Sequence, residues 1–117
     1  MTYILHWRIK QAMFTFVESK IFERELPNYL EGDEYNELQL FMMRQPEAGD
    51  IIPGSGGVRK LRWSERGRGK RGGVRVLYYL KYNPNMFWML IIYAKSKHDN
   101  LPAHIIKAAK EMFENEA

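Results

Sequence analysis

The 117-residue chain contains no cysteine, which excludes disulfides, cysteine nucleophiles, thiolate-bound zinc and iron–sulfur clusters. Its three histidines, His6, His98 and His104, show no HExxH or comparable ligand spacing, so neither a metal nor another cofactor is expected. Long apolar runs are missing as well. The longest, Met86 to Ala94, is strand-sized and far short of a membrane span. The opening stretch Met1 to Lys10 lacks the apolar region of a signal peptide. These absences predict a cytoplasmic protein with no membrane partner. A P-loop is also lacking, and Gly49, Gly54, Gly56 and Gly57 suit turns better than a dinucleotide fingerprint.

What the chain does have is localised positive charge. From Arg59 through Arg75 it carries eight basic side chains and one acid, Glu65. That is +7 in a chain of net charge +4, leaving −3 for the remainder. The segment from Glu18 to Asp50, by contrast, holds nine acids and three bases. A hydrophobic content of 45% and a charged content of 27% are ordinary for a globular protein, and the length suits one domain.

Residues 1–13 have no clear period. They read either as an appendage ahead of a start at Met13 or as a short added strand or helix, with residues 14–117 forming the domain. Phe14 to Glu18 is aromatic and β-branched, as a strand requires. Ser19 can cap a helix over Lys20–Leu30, which Pro27 should bend or split. A second helix is expected from Asp33 and must stop before Pro46. Turn chemistry fills Pro46–Asp50 and Pro53–Gly57. Three strands follow, Val58–Trp63, Val74–Leu80 and Phe87–Ala94, and a C-terminal helix whose stripe is Ile105, Ile106, Ala109 and Met112 or Phe113. The order β-α-α-β-β-β-α, with local strand connections, predicts an α+β domain: a small, twisted, antiparallel-rich sheet, an N-terminal helical hairpin and a C-terminal helix.

Strand alternation puts Leu61 and Trp63 on one side and Lys60 and Arg62 on the other, with Arg75, Leu77 and Tyr79 opposed to Val74, Val76 and Tyr78. If these strands are neighbours, Lys60, Arg62 and Arg75 converge on one exposed face. Arginine offers a planar fork for phosphate oxygens; lysine offers a point charge and, once deprotonated, a base. The glycine-rich stretch bearing Arg66, Arg68, Lys70 and Arg71 suits a grip on a nucleic-acid backbone. Tyr79 and Tyr93 are candidates for stacking a base, Trp63 for filling the core. His98, just past the last strand, is a candidate general acid or phosphate ligand.

These residues also carry a family likeness. Phe16-Val17-Glu18-Ser19, the run from Pro46-Glu47-Ala48-Gly49-Asp50 through Gly56-Gly57-Val58-Arg59-Lys60-Leu61-Arg62, the segment Gly67 to Tyr79 with its Lys70-Arg71-Gly72-Gly73-Val74-Arg75, and Leu90 to Lys95 resemble the HigB branch of the RelE/ParE toxins. The resemblance spans about Phe14 to Phe113. It implies a RelE-like fold and a type II toxin–antitoxin module whose toxin enters the ribosomal A site and cuts translated mRNA. It implies metal-free chemistry, in which the ribose 2′-hydroxyl attacks the adjacent phosphate. It implies a HigA-like helix-turn-helix antitoxin as partner, in a complex that is a higher oligomer. The catalytic lysine pair of RelE falls on Lys60 and Arg62, and its phosphate-binding arginine on Arg75. Its later arginine falls near Ser96 and its tyrosine near Leu101-Pro102, where nothing matches, so either Lys95, Lys97 or His98 compensates or the base and acid roles are distributed differently. ParE relatives share the fold and act on DNA gyrase, which makes gyrase inhibition the rival expectation and non-catalytic RNA binding the third.

Overall fold

Alternating apolar side chains give this sheet two buried faces, and helices cover both. The computed structural model describes residues 4–9, 12–63, 73–82, 84–95 and 101–116. Its strands are β1 (Ile4–Ile9), β2 (Ala12–Glu18), β3 (Asp50–Ile51), β4 (Arg59–Trp63), β5 (Val74–Lys81) and β6 (Met86–Ala94). Its helices are α1 (Lys20–Glu25), α2 (Gly32–Arg44) and α3 (Ala103–Glu116), with a 3₁₀ turn at Leu26–Asn28. The strands lie in the order β1-β2-β6-β5-β4-β3, and the architecture is α+β.

One face carries Phe14 and Phe16 of β2, Val74, Val76 and Tyr78 of β5, and Phe87, Met89 and Ile92 of β6. It packs against Phe22 of α1 and Tyr35, Leu38, Met42 and Met43 of α2. The opposite face carries Val17, Leu77, Trp88, Leu90 and Tyr93 and meets Ile106 and Phe113 of α3. The change of parity along β6 comes from a register shift. Leu77 pairs with Ile91 but Tyr78 with Met89, which leaves Leu90 as an extra residue. Ser19 secures that irregularity. Its backbone N–H donates to the Met89 carbonyl (3.0 Å), and its hydroxyl donates to the Leu90 carbonyl (2.8 Å) while accepting from the Phe22 N–H (3.0 Å) to cap α1. Pro27 divides the expected helix as its missing donor requires, ending α1 and leaving the 3₁₀ turn. Helix α2 starts one residue before Asp33, where the Glu34 carboxylate accepts from the Glu31 N–H (2.8 Å).

The sheet is antiparallel-rich as expected: four of the five strand pairings among the described residues are antiparallel, and β2 with β6 is parallel, because β4, β5 and β6 alternate in direction and β6 arrives beside β2 from the far edge. Three expectations need correction. Asp50, read as turn, forms with Ile51 the edge strand β3 against Arg59 and Lys60. Residues 4–9 form a strand antiparallel to β2, and the following strand already begins at Ala12. The α3 stripe is narrower than expected, with Ile106 and Phe113 buried but Ile105 48% and Met112 64% exposed. Among the described residues no helix is long and apolar enough to cross a membrane.

Gln39 stands out in the core. It is fully buried on α2, and among the described residues neither its amide oxygen nor its nitrogen has a hydrogen-bond partner. A buried amide without partners carries its desolvation cost uncompensated. Gln39→Met keeps the shape and removes that cost, so a gain of about 1–2 kcal/mol is expected, read as a higher urea midpoint at unchanged slope. A lower midpoint would mean that the amide is hydrogen-bonded in solution.

Candidate phosphate-binding face

Strand register brings the basic residues together. Lys60 lies opposite Leu77, Arg62 opposite Arg75, and Arg75 opposite Tyr93 on its other side. Directly opposed residues project to the same face, with Cβ atoms about 5 Å apart. Arg62 and Arg75 are therefore adjacent like charges, an arrangement that by itself disfavours the sheet and that a bound anion would ease. On β3, Asp50 pairs in register with Lys60. This is the face that α3 covers farther along, over Val58, Leu77 and Trp88.

The three cations are not equally open. Arg62 is exposed and Lys60 half-buried, whereas Arg75 retains 5% exposure. The single exposed face expected from the sequence is thus corrected. Arg75 occupies a central strand with neighbours on both sides and serves as a buried charge beside two accessible ones. A buried cation acts through a lower local dielectric and is worth more to an adjacent anion than an exposed one. Lys95 is exposed at the same end of the sheet, where its N–H donates to the Gly73 carbonyl (3.4 Å).

The tyrosines also depart from expectation. Tyr93 is buried (3% exposed) in the cluster that includes Ile106 and Phe113, so its ring does not lie open for stacking a base. Tyr79 is half-buried, with Lys110 Nζ 4.3 Å from its ring centre and the Trp88 ring 5.4 Å away. Gly57, at φ +96°, lies beneath it; a Cβ there would come within 3.2 Å of the Tyr79 ring. Trp63 packs on Phe41, with ring centres 5.3 Å apart, at the margin of the first core. Arg66, Arg68, Lys70, Arg71, Lys97 and His98 lie outside the described residues.

Arg59 faces away from the cluster and braces its edge. Its guanidinium donates to the carbonyls of Glu47 (3.2 Å) and Gly49 (2.7 Å). The fully buried Tyr78 hydroxyl donates to the Pro46 carbonyl (2.7 Å) and accepts from the Gly49 N–H (3.1 Å). Burial raises the Tyr78 pKa, so the phenol stays neutral and able to donate. Gly49 is closely packed, since a Cβ there would lie 3.0 Å from the Tyr78 ring and 3.2 Å from the Lys60 backbone. These contacts fix the turn that delivers Asp50 beside Lys60. Asp50 itself was hidden from sequence reasoning, because a two-residue strand leaves no alternation to read.

Among the described residues no three His, Asp or Glu side chains gather as metal ligands. The face carries one exposed guanidinium, one buried guanidinium, and a lysine two residues along the strand, groups whose donors match the geometry of phosphate oxygens. Compared with models of known protein families, the chain matches none.

Proposed function

We propose that the protein is the toxin of a type II toxin–antitoxin system, a RelE-like, HigB-type endoribonuclease that cleaves translated mRNA in the ribosomal A site. The observation that carries the reading is the register pair Arg62–Arg75 with Lys60 on the same face, a cation cluster suited to the charge that develops on a phosphate under attack. In the reaction, the ribose 2′-oxygen bonds to the adjacent phosphorus as its proton passes to a base. The bond to the 5′-oxygen breaks, and that oxygen takes a proton, leaving a cyclic phosphate and a 5′-hydroxyl. In this reading Lys60 accepts the first proton, Arg62 and Arg75 stabilise the phosphorane, and Lys95, Lys97 or His98 supplies the second proton. The basic stretch Arg66 to Arg71 grips ribosomal RNA. The partner is a HigA-like helix-turn-helix antitoxin, in a higher-order complex in the cytoplasm.

Expression followed by mapping of cellular mRNA 5′ ends tests this. Codon-registered cuts on translated messages are the expected result. Intact mRNA with supercoiling or replication defects would overturn it in favour of a ParE-like gyrase inhibitor.

A further inference from the structure

Beyond Val58 on the same sheet face, three lysines surround a pair of aromatic rings and a glycine turn that the chemistry above leaves unused. Lys110 Nζ lies over Tyr79, and Lys81 Nζ lies 5.3 Å from the centre of the Trp88 ring. Lys107 and Lys110 border the turn: a Cβ placed on Gly56 would lie 3.7 Å from Lys107 Cγ and 3.8 Å from Lys110 Nζ. The turn is rigid. The buried Ser55 hydroxyl donates to the Ile52 carbonyl (2.6 Å) and accepts from the Val58 N–H (3.0 Å). Gly54, Gly56 and Gly57 all hold positive φ, which lets the backbone pass close to α3 without side chains between. Lys110 is held by the Tyr79 ring and by the Glu114 carboxylate at 3.9 Å, while Lys107 stands exposed beside it.

We infer that Lys81, Lys107 and Lys110, grouped around the Pro53–Gly57 turn, form a second phosphate-binding station for the same RNA strand that meets Arg62. The inference rests on reading the β4–β5 face as an RNA surface. Arg62 lies four positions along the chain from Val58, about 13 Å at the usual strand rise, with Lys60 between them. That span is longer than one sugar–phosphate repeat, so the two stations would meet different phosphates of the strand. Strand and helix together thus offer a linear row of cations, and a fixed row binds a polyanion better than scattered surface lysines. Tyr79 becomes a positioning residue in this account, because its ring orients Lys110 rather than stacking a base.

The test is binding of a fluorescent single-stranded RNA oligonucleotide to the full chain across a salt series. Lys107→Gln is expected to weaken binding and make the slope of log K against log salt shallower by about 0.7 for each phosphate no longer neutralised, with Lys107→Arg restoring both. Arg62→Gln is measured in parallel. Weakening by both substitutions supports both stations. If Lys107→Gln binds with wild-type affinity and slope while Arg62→Gln weakens, the second station is wrong and the β4–β5 face stands. The reverse pattern overturns the proposal as well, since the strand would then not meet Arg62, and two silent variants overturn both the station and the face.

Discussion

Arg62→Ala is expected to lower mRNA cleavage by about 10²–10³-fold, the usual loss when one preorganised group that stabilises transition-state charge is deleted. The side chain is exposed and lies opposite Arg75 in register. Its removal empties no core and relieves a like-charge contact. Stability should therefore stay within about 0.5 kcal/mol of the parent, the ordinary range for surface changes. Arg62→Lys should recover only part of the rate, since an ammonium cannot reproduce a two-pronged contact to phosphate oxygens. Cleavage measured in a translating extract beside a thermal melt separates the two effects. An alanine variant that cuts at the parental rate would remove this face from the chemistry. Arg75→Ala is a poorer probe, because Arg75 is buried and its loss would confound rate with folding.

The second large effect concerns pH. Glu18 is 2% exposed at the end of β2, where its carboxylate accepts a 2.6 Å hydrogen bond from the Tyr35 hydroxyl. Burial raises its pKa above 4.5; the tyrosine opposes that shift in part and Glu23 adds slightly to it. The folded protein consequently holds this proton more tightly than the unfolded chain does. Glu18's contribution to stability is fully present below about pH 4.5 and is lost as pH rises through the folded pKa, the reverse of ordinary acid denaturation. Glu18→Gln can accept the same hydrogen bond without a charge. It should stabilise the protein at neutral pH by about 1–3 kcal/mol, with the advantage shrinking toward pH 4.5. Urea midpoints of both proteins between pH 4 and 8 provide the check. An advantage that does not change with pH would contradict this account of Glu18.

Local chemistry was the legible part of this chain. Ser19 and Pro27 announced a cap and a break, and the two-residue alternation around Leu61 and Val76 put Lys60, Arg62 and Arg75 on the face opposite to those two core residues. What escaped depends on partners far away in the chain. The parallel pairing of β2 with β6 follows from where the last strand is delivered, and no local pattern encodes it. Arg75 reads as a surface residue until two neighbouring strands flank it, and Tyr79 as an open ring until α3 brings Lys110 over it. Glu18 and Gln39 defeat composition itself, since residues of their type are rarely buried. Within the site, the strand positions of Lys60, Arg62 and Arg75 were legible, while their unequal burial and the turn beside Lys107 were not.

The parallel pair at the middle of the sheet also bears on how the molecule comes into being. Thr15 to Glu18 must find Met86 to Met89, a separation of about seventy residues, before the two core layers have a common floor. Closing so long a loop carries an entropic cost that no local contact offsets in advance. High contact order of this kind places folding toward the slow end for domains of this size. During synthesis the hairpin of β4 and β5 emerges well before β6, so the opposed arginines can be paired early. They gain the frame that holds them only once β6 has left the ribosome and paired with β2.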